Sequence, residues 1–519
     1  MVTKIDTYKV LLVNAPNPIN GNTSGNYAVF PAMGVVNLGS RIKNDYPPID
    51  VRVIDGGSKT IEDIKRSIDE YQPSLVALSV LTPTYKEGLE LAKYAKEKQN
   101  SKTVLGNDHA SFFPELILRN RSYIDYLVEA EFGEEPLSHI IGLETGNSHI
   151  PILQAQGQEG QENVYSREKN GEIRKTSFKR AKLTDIIKTS KDIPNLSLIS
   201  EQLSEYAIAY NERYGAYHNT PRIPSVINNV RGCGNGEYRC TYCSIYDLGL
   251  NSGNPKIFWE TVKKHNEEYG INFFFEVCDS FLTFQKYINQ LIETKPFDPK
   301  ERDIEFEIYA RANDVVNVPD SIKWLKELNI TRVNLGLDSG DDNMLNLLRK
   351  RNKDKKGVFS PAQINYESVK RLAGAGITVH ASFPLGSLGE TQDSLEKTVQ
   401  FIDRISKDFG SYLATLEASE LVPLPNSPAW DMLLSREHSV FEHNGGIENM
   451  LGDASIKLSH DTKTLLRYKY DNQDLLDVEE LAKDWIKYFT HIDWETLEQT
   501  KLKVEKIAKR IGARYGRAI

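Results

Sequence analysis

Three of the four cysteines in this chain, Cys233, Cys240 and Cys243, lie within eleven residues of one another. Thiolates are soft ligands that suit zinc and iron–sulfur clusters, and a structural zinc site normally has four protein ligands. A cubane iron–sulfur cluster can be held by three thiolates, which leaves one iron open to another ligand. The glycines around the first cysteine predict a wrapping loop and not a core strand. Two alternatives stay open: buried structural cysteines, or half of a zinc site that a histidine completes.

The composition narrows the class of protein. A chain of 519 residues is too long for one core and predicts two or three domains. The net charge of −8 argues against nucleic acid as the main partner, and four cysteines do not make a secreted disulfide framework. No apolar run approaches the roughly 18 residues that span a membrane, and the N-terminus lacks the apolar core of a signal peptide. We therefore expect no membrane contact and a reducing cytoplasm.

Short apolar runs alternate with helical stretches over about residues 1–145. The runs cover residues 9–14, 51–55, 75–80, 103–106 and 123–128. Strands that alternate with helices predict a doubly wound parallel sheet, a Rossmann-like α/β fold. Ligands of such sheets bind beyond the carboxyl ends of the strands, but no Gly-x-Gly-x-x-Gly fingerprint follows the first strand to indicate a dinucleotide.

The central part, about residues 221–425, again alternates strands with helices. With the strand before Cys233, about six βα units are predicted; the other strand runs cover residues 272–277, 305–309, 332–337, 378–383 and 412–416. This pattern predicts a partial (β/α)6 barrel whose polar residues gather at the carboxyl ends of the strands.

Two other regions carry weaker signals. Residues 146–220 are polar and predict a linker with one small hairpin that turns at Asn170 and Gly171. Residues 426–519 predict a helical C-terminal domain, with helices over 475–490 and 496–510. The charged face of the last helix is read as solvated, with a reductase-docking surface as the alternative.

At the cysteine loop the chain resembles the radical S-adenosylmethionine (SAM) superfamily. The Arg-Gly-Cys that ends at Cys233 and the Cys-Thr-Tyr-Cys-Ser that begins at Cys240 carry the resemblance. The usual motif has three residues between its first two cysteines, whereas this chain has six, 234–239. The resemblance implies that Cys233, Cys240 and Cys243 hold a [4Fe–4S] cluster and that Tyr242 is the motif's aromatic residue beside SAM.

The resemblance extends to the ends of the later strands and implies a SAM site there. Asp279 falls where an acidic residue approaches the methionyl amino group, and Arg311 falls where a residue reaches the methionyl carboxylate. Ser339 matches a position near the ribose or carboxylate. Gly386 matches the strand-five motif beside the adenosyl group, and Pro423 lies in the last-strand loop that contacts adenine.

The fourth cysteine, Cys278, directly precedes Asp279. A lone cysteine in a strand is most often a small core residue. The alternative is a catalytic thiol that faces the cavity, either as a hydrogen-atom donor or as an extra ligand.

The first domain resembles the cobalamin-binding domain that precedes the radical core in one branch of the superfamily. The matching residues at the strand ends are Asn14, Ser79, Thr82, Gly106, His109, Gly133 and Glu134. The Asp-x-His-x-x-Gly motif that supplies a lower cobalt ligand is absent, because Asp108 and His109 are adjacent. His109 is expected near the corrin as a loop histidine, with cobalt ligation as the alternative; a sheet without any cofactor is a further alternative.

Together these resemblances imply a cobalamin-dependent radical SAM enzyme. SAM cleavage would give a 5′-deoxyadenosyl radical that takes a hydrogen atom from an unactivated carbon, and methylcobalamin would deliver a methyl group to a small molecule or natural product. The alternatives are a cobalamin-dependent cyclase or rearrangement enzyme, a non-catalytic corrinoid- or SAM-binding regulator, and a plain radical SAM enzyme. We expect a flavodoxin or ferredoxin as electron donor and a monomer or weak dimer.

Overall fold

The protein contains two mainly parallel sheets followed by a group of helices. The computed structural model describes residues 8–17, 29–146, 161–168, 170–235, 239–246, 249–350, 357–438, 441 and 446–516. Each large sheet has seven strands. Across the described ranges, each helix is too short or too polar to cross a lipid bilayer.

The first sheet has the strand order β2-β1-β3-β4-β5-β6-β7. Its parallel strands are β1 (Lys9–Asn14), β2 (Asp50–Asp55), β3 (Leu75–Ser79), β4 (Lys102–Gly106) and β5 (Tyr126–Glu129). Its helices are α1 (Met33–Asp45), α2 (Ile61–Tyr71), α3 (Tyr85–Gln99), α4 (Asp108–Phe112), α5 (Pro114–Asn120) and α6 (Glu134–Thr145). The predicted doubly wound sheet is confirmed.

Strand β1 shows why this sheet is covered on both faces. Its four central residues are at most 1% exposed, and successive side chains of a strand point to opposite faces. Val10 and Leu12 pack in one apolar cluster, whereas Leu11 and Val13 pack in another. An uninterrupted apolar run is therefore the expected pattern for this strand.

The predicted linker contains more structure than one isolated hairpin. Strands β6 (Gln161–Arg167) and β7 (Ile173–Lys179) form the hairpin, which pairs antiparallel to β5 and extends the first sheet. After the short α7 (Leu183–Ile186), α8 (Ser200–Tyr214) forms a helix that the linker prediction did not include.

Helix α8 joins the two sheets. Its Gln202 side chain accepts a hydrogen bond from the Asp55 amide (3.2 Å) and donates one to the Asp55 carbonyl (2.9 Å), at the end of β2. About two turns further along, the ring centroid of Tyr210 lies 4.8 Å from that of Phe273, in the second sheet. The buried tyrosines recur every four residues, which places them on one face of the helix.

The second sheet forms the predicted partial barrel. Its order is β16-β15-β14-β13-β12-β11-β8, with every neighbouring pair parallel. The strands are β8 (Pro224–Ile227), β11 (Phe273–Glu276), β12 (Glu305–Ala310), β13 (Ile330–Gly336), β14 (Thr378–Leu385), β15 (Leu413–Glu420) and β16 (Arg514–Tyr515). The barrel helices are α9 (Pro255–Tyr269), α10 (Gln285–Glu293), α11 (Ala312–Asn317), α12 (Ser321–Glu327), α13 (Asp342–Leu347), α14 (Pro361–Gly374), α15 (Gln392–Phe409) and α16 (Pro428–Leu433). Strands β9 (Val230–Arg231) and β10 (Asn251–Ser252) pair separately beside the cysteine loop.

The C-terminal region packs against the barrel. Its helices are α17 (Ile447–Asp453), α18 (His460–Tyr470), α19 (Val478–Phe489) and α20 (Trp494–Ile511), and β16 then adds a seventh strand to the barrel sheet. In α19 the ring of Trp485 stacks on Phe489 at 4.4 Å. The Trp485 indole Nε1 donates a 2.9 Å hydrogen bond to the carbonyl of Gly386.

Gly386 is therefore a packing residue, although the sequence motif placed it beside the adenosyl group of SAM. Its φ of +78° lies in the left-handed region that favours glycine. A Cβ atom built on it would overlap the side chain of Ile486 in α19. The residue thus allows α19 to approach the end of β14.

We expect Gly386→Ala to destabilise the protein by about 1–3 kcal/mol, because the substitution adds backbone strain and overpacks the contact with α19. Urea unfolding of the full chain measures the change. The control is Gly452→Ala in α17, where a Cβ atom meets nothing within 4 Å and alanine favours the helix. Equal stability of the two variants would contradict this account of Gly386.

Candidate functional site

The cysteine loop opens into a cavity of about 590 Å³ at the carboxyl ends of the barrel strands, which we call the barrel cavity. The predicted site residues that line it are Cys233, Cys240, Tyr242, Cys243, Cys278, Asp279 and Arg311. The structure thus brings together the three motif cysteines and four of the residues that the sequence placed near them.

Hydrogen bonds hold the beginning of the cysteine loop. The Gly232 amide donates to Asp279 Oδ2 at 3.0 Å, which fixes the loop to the segment after β11. Gly232 has a φ of +102°, and a Cβ atom there would strike the carbonyl of Gly249. The backbone N–H of Asn235 donates to Cys233 Sγ at 3.5 Å, and the Asn235 side-chain Nδ2 donates to Cys240 Sγ at 3.7 Å. N–H donors directed at sulfur are suited to stabilise thiolate charge.

Arg239 anchors the far side of the long cysteine gap, of which residues 236–238 lie outside the described ranges. Its buried guanidinium donates to the carbonyl of Ile245 at 2.7 Å and to the carbonyl of Asn426. The Ala429 amide adds a 2.8 Å hydrogen bond to the Thr241 carbonyl. The segment after β15 therefore clamps the loop between its second and third cysteines.

The thiols fit an iron–sulfur cluster better than a single zinc ion. All three are only partly exposed, and they face one cavity. Burial and the neighbouring Cys240 raise the pKa of Cys243 to about 12, so a thiolate at Cys243 requires the positive charge of bound metal. Among the described residues, no group of three or more His, Cys, Asp or Glu is placed to chelate one ion. A bound cluster would distribute these three thiolates over different irons and would leave one iron open to another ligand.

Three residues that the sequence assigned to SAM are not among those that line the barrel cavity. Ser339 is 2% exposed; its hydroxyl lies 2.9 Å from Thr398 Oγ1 and accepts from the Asp341 amide at 3.0 Å, so it supports a turn. Gly386 packs on α19, as described above. Pro423 is buried in the segment that clamps the cysteine loop.

The motif after β13 instead presents its aspartate to the site. Asp338 accepts from the Tyr242 hydroxyl through Oδ1 at 2.8 Å, and its Oδ2 lies 2.6 Å from Lys350 Nζ. Lys350 Nζ also donates to the Tyr242 hydroxyl at 3.2 Å. Asp338 has a φ of +63°, an unusual conformation for a non-glycine residue. Sequence reasoning chose the neighbouring serine because it matched a motif position, and it had no signal for Lys350.

Cys278 lies at the boundary between core and cavity. It is 4% exposed and packs within the main apolar cluster, yet it also lines the barrel cavity. Burial raises the pKa of its thiol well above the ordinary value, which keeps the sulfur protonated. Both the structural and the cavity-facing interpretation of this residue are compatible with that position.

Glu276, two residues before Cys278, holds the backbone segment that leads into the cysteine loop. It is 1% exposed, and its Oε1 accepts from the amides of Asn229 (3.0 Å) and Val230 (3.3 Å). Its buried Oε2 has no hydrogen-bond partner among the described residues. Burial raises the pKa of this carboxyl to about 8, so the residue is a neutral acid at pH 7.

A second opening, the sheet cleft, lies at the carboxyl edge of the first sheet and encloses about 220 Å³. Of the predicted cobalamin residues, Ser79, Gly106, Gly133 and Glu134 line it. Alanine, serine and glycine at the strand ends leave this edge open, and apolar residues such as Leu12 and Val104 form its floor. A flat, largely apolar ring with polar side groups fits such a surface.

The other three predicted cobalamin residues act behind the cleft. Asn14 Nδ2 donates to Asp55 Oδ1 at 2.9 Å across the neighbouring strands. The Thr82 hydroxyl lies 3.1 Å from His109 Nδ1, and His109 Nε2 lies 2.8 Å from the carbonyl of Asp474. His109 is completely buried, and burial lowers its pKa to about 4. Because both ring nitrogens are engaged, His109 is placed as a structural residue and not as a cobalt ligand.

The barrel cavity and the sheet cleft share one wall. Asn107, Asp108, Glu131 and Arg231 line both, and an ion pair joins Glu131 of the first sheet to Arg231 beside the cysteine loop. Burial and the nearby Glu131 charge raise the pKa of Asp108 to about 6. The sequence did not predict that these four side chains form one wall, because that arrangement arises from the contact between two domains.

Comparison with known families agrees with this arrangement. Residues 30–141 match the B12 binding domain, and residues 227–402 match the Radical SAM superfamily. The chain is a cobalamin-dependent radical SAM protein. The predicted cofactors, cobalamin, SAM and a [4Fe–4S] cluster, are confirmed at the level of these two domains.

Two relatives of this cobalamin-dependent radical SAM protein carry functional names. Uncharacterized methyltransferase PH0819 of Pyrococcus horikoshii is 24% identical over 415 residues, which cover 78% of this chain and 79% of that protein. The anaerobic magnesium-protoporphyrin IX monomethyl ester cyclase of Cereibacter sphaeroides is 23% identical over 376 residues, which cover 72% of this chain and 55% of that protein.

Solved structures share the fold. The cobalamin-dependent S-adenosylmethionine radical enzyme OxsB, with aqua-cobalamin and S-adenosylmethionine bound, has a TM-score of 0.62 at 15% identity and covers 96% of this chain and 66% of that one. The radical S-adenosylmethionine methyltransferase TsrM from Kitasatospora setae, with cobalamin and a [4Fe–4S] cluster bound, has a TM-score of 0.57 at 14% identity. That likeness covers 97% of this chain and 100% of TsrM.

Because Glu276 is neutral in the folded protein, we expect the stability difference between wild type and Glu276→Gln to depend on pH. The folded carboxyl keeps its proton up to pH of about 8, whereas an unfolded one loses it near 4.3. The stability from this residue is therefore fully present below pH 4 and is lost as the pH rises through 8. The glutamine side chain keeps an oxygen that can accept these hydrogen bonds but does not titrate. The stability of Glu276→Gln relative to wild type should therefore increase as the pH rises from about 4.3 to about 8.

Urea unfolding at pH 5.5 and pH 8.5 checks this, with both proteins in the same cofactor state. The exposed Glu268 of α9 supplies the control variant Glu268→Gln, for which we expect parallel curves. If the free energy of unfolding of Glu276→Gln changed with pH in the same way as that of wild type, the buried carboxyl would already be charged at pH 5.5.

Proposed function

We propose that this protein is a C-methyltransferase that transfers a methyl group to an unactivated carbon of a small molecule or natural product. The observation that supports this most is the wall shared by the two cofactor openings. When bound, the cluster, SAM and cobalamin supply the electron, the 5′-deoxyadenosyl radical and the methyl group. A substrate at the shared wall would be within reach of both SAM and the corrin.

The residues of the barrel cavity would position SAM. Arg311, at the end of β12, presents a permanent cation suited to the methionyl carboxylate. Tyr242 is held by Asp338 and Lys350 in a fixed orientation beside the cysteines. Asp279 is proposed for the methionyl amino group, and its hydrogen bond from Gly232 would couple that contact to the cysteine loop.

The names of relatives favour methyl transfer without deciding it. PH0819 and the structural relative TsrM are named methyltransferases, and the Synechocystis protein sll1242 is named an uncharacterized methyltransferase. Two relatives are named cyclases, and for this reason cobalamin-dependent cyclisation is the second candidate. A non-catalytic regulator would not need three thiols that face the same cavity as the SAM-positioning residues.

The partners are also proposals. We propose a flavodoxin or ferredoxin as electron donor and a small molecule as substrate. The basic face of α20 is a weak candidate for docking the donor, because most of its cations already form ion pairs. These pairs are Lys501–Glu420, Lys503–Glu396, Lys509–Glu505 and Arg510–Asp403.

Metal analysis tests the cofactor assignments. After anaerobic reconstitution with cobalamin supplied, we expect about four irons and one cobalt per chain. Cys240→Ala should lose most of the iron and keep the cobalt, because the sheet cleft lies on the other sheet. Zinc in place of iron would overturn the cluster assignment, and iron without cobalt would overturn the methyl-transfer proposal.

Product analysis tests the reaction class. The reduced, cobalamin-loaded enzyme incubated with SAM should form both 5′-deoxyadenosine and S-adenosylhomocysteine, measured by liquid chromatography with mass spectrometry. Cys240→Ala is the control and should form no 5′-deoxyadenosine. If 5′-deoxyadenosine forms without S-adenosylhomocysteine, methyl transfer is excluded in favour of rearrangement. If neither product forms while the cluster is intact, the enzymatic proposal is wrong.

A further inference from the structure

A buried carboxylate of the C-terminal region joins that region to the first domain. Asp474, between α18 and α19, is 3% exposed. Its carboxylate accepts from the Tyr85 hydroxyl (2.7 Å), Asn120 Nδ2 (3.1 Å), and Arg121 Nε (3.0 Å) and Nη2 (3.2 Å). All three donors belong to the first domain, more than 350 residues earlier in the chain.

The Asp474 backbone adds a contact to His109. The His109 pKa, lowered to about 4 by burial, makes the ring neutral at physiological pH. Since a carbonyl accepts, Nε2 must carry the proton that it donates to the Asp474 carbonyl at 2.8 Å. Nδ1 then accepts from the Thr82 hydroxyl at 3.1 Å. The His109 ring also packs on Tyr85, with centroids 4.0 Å apart.

These contacts reach both loops that border the sheet cleft. Thr82 follows Ser79 in the loop after β3, and His109 follows Asn107 and Asp108 after β4. Ser79, Asn107 and Asp108 all line the cleft. Asn107 Nδ2 also donates to Ser79 Oγ at 2.9 Å, which links the two loops directly. Asp474 therefore contacts the loop after β4 directly, through His109 next to the cleft residue Asp108. It reaches the loop after β3 through His109 and Thr82, three residues after the cleft residue Ser79.

The number of donors also argues for a specific role. A buried carboxylate is costly unless it is paired and fully hydrogen-bonded, and Asp474 has one guanidinium, one amide and one hydroxyl directed at it. Simple apolar packing would hold the two domains together without this arrangement. The polar network fixes one relative position of the loops, which packing alone specifies less strictly.

We propose that Asp474 is an interdomain latch that holds the loops after β3 and β4 in the arrangement that retains cobalamin in the sheet cleft. The latch is a positioning residue, since its side chain lies behind the cleft. The inference rests on cobalamin binding at the first domain and does not depend on whether the reaction is methyl transfer or cyclisation.

Cobalamin retention tests the latch in the full chain with its cluster reconstituted. We expect Asp474→Asn to weaken hydroxocobalamin binding by roughly tenfold or more, measured by equilibrium dialysis, because it removes charge-assisted hydrogen bonds coupled to the ligand. Iron content should not change, since the barrel cavity does not include this residue. Tyr85→Phe, which removes one donor and keeps the ring, should give a smaller loss in the same direction.

The matched control is Asp484→Asn in α19. Asp484 accepts from the Tyr470 hydroxyl (2.7 Å) and Lys469 Nζ (2.6 Å), both in the C-terminal region, so it should not alter cobalamin binding. Hydrogen exchange of the cobalamin-free protein adds a second readout: Asp474→Asn should speed exchange over residues 80–85 and 107–112, whereas Asp484→Asn should not.

Three outcomes would overturn the proposal. Cobalamin binding and loop exchange equal to wild type in Asp474→Asn would show that the network has no positioning role. Equal losses in Asp474→Asn and Asp484→Asn would indicate general loosening of the C-terminal region. If wild type itself does not retain cobalamin, the latch fails together with the cobalamin assignment, whereas failure of methyl transfer alone leaves it intact.

Discussion

The ion pair between Glu131 and Arg231 connects the two halves of the site. Glu131 follows β5 at the carboxyl edge of the first sheet, and Arg231 lies two residues before the first motif cysteine. Parallel strands bring their ligand-binding ends to one edge, but nothing in either sheet requires the two edges to face each other. If the two edges moved apart, each charge of this half-buried pair would be left without its partner and poorly solvated. The ion pair therefore favours the arrangement in which the two edges face each other. The Arg231 guanidinium also lies 5.0 Å from the centre of the Phe132 ring, which adds a second contact across the same boundary.

Much of the fold follows from local sequence. Buried parallel strands must be apolar on both faces, so runs such as Leu75–Ser79 and Ile330–Gly336 were recognisable without any relative. The residues that follow such runs lie at the ligand-binding edge, and Asp279 and Arg311 accordingly line the barrel cavity. Helix α8 was missed for the opposite reason. Three of its five buried residues are tyrosines, which also occur in exposed polar segments. The helix is stabilised by contacts with two sheets that are distant in sequence.

Several residues that the sequence assigned to cofactor sites have surroundings that come from distant parts of the chain. His109 and Gly386 match cofactor motifs, yet each is held by the C-terminal region, one through Asp474 and the other through α19. The motif after β13 was recognised, but its aspartate, with a backbone φ of +63°, and not its serine is the residue that contacts Tyr242. A pattern of residue types cannot specify that orientation. Lys350 belongs to no motif, and it reaches this group through its ion pair with Asp338 and its hydrogen bond to Tyr242.

The long cysteine gap shows how a departure from a motif can be accommodated. Extra residues between the first two ligands add loop entropy only slowly with length, but they must not move the second cysteine away from the first. Arg239, directly before Cys240, provides that restraint, because its guanidinium donates hydrogen bonds to the carbonyls of Ile245 and Asn426. One of these carbonyls belongs to Asn426, in the segment that the motif assigned to adenine binding. The last-strand segment therefore supports the cluster loop mechanically, and the geometry of the cysteines depends on barrel strands at both ends of the domain.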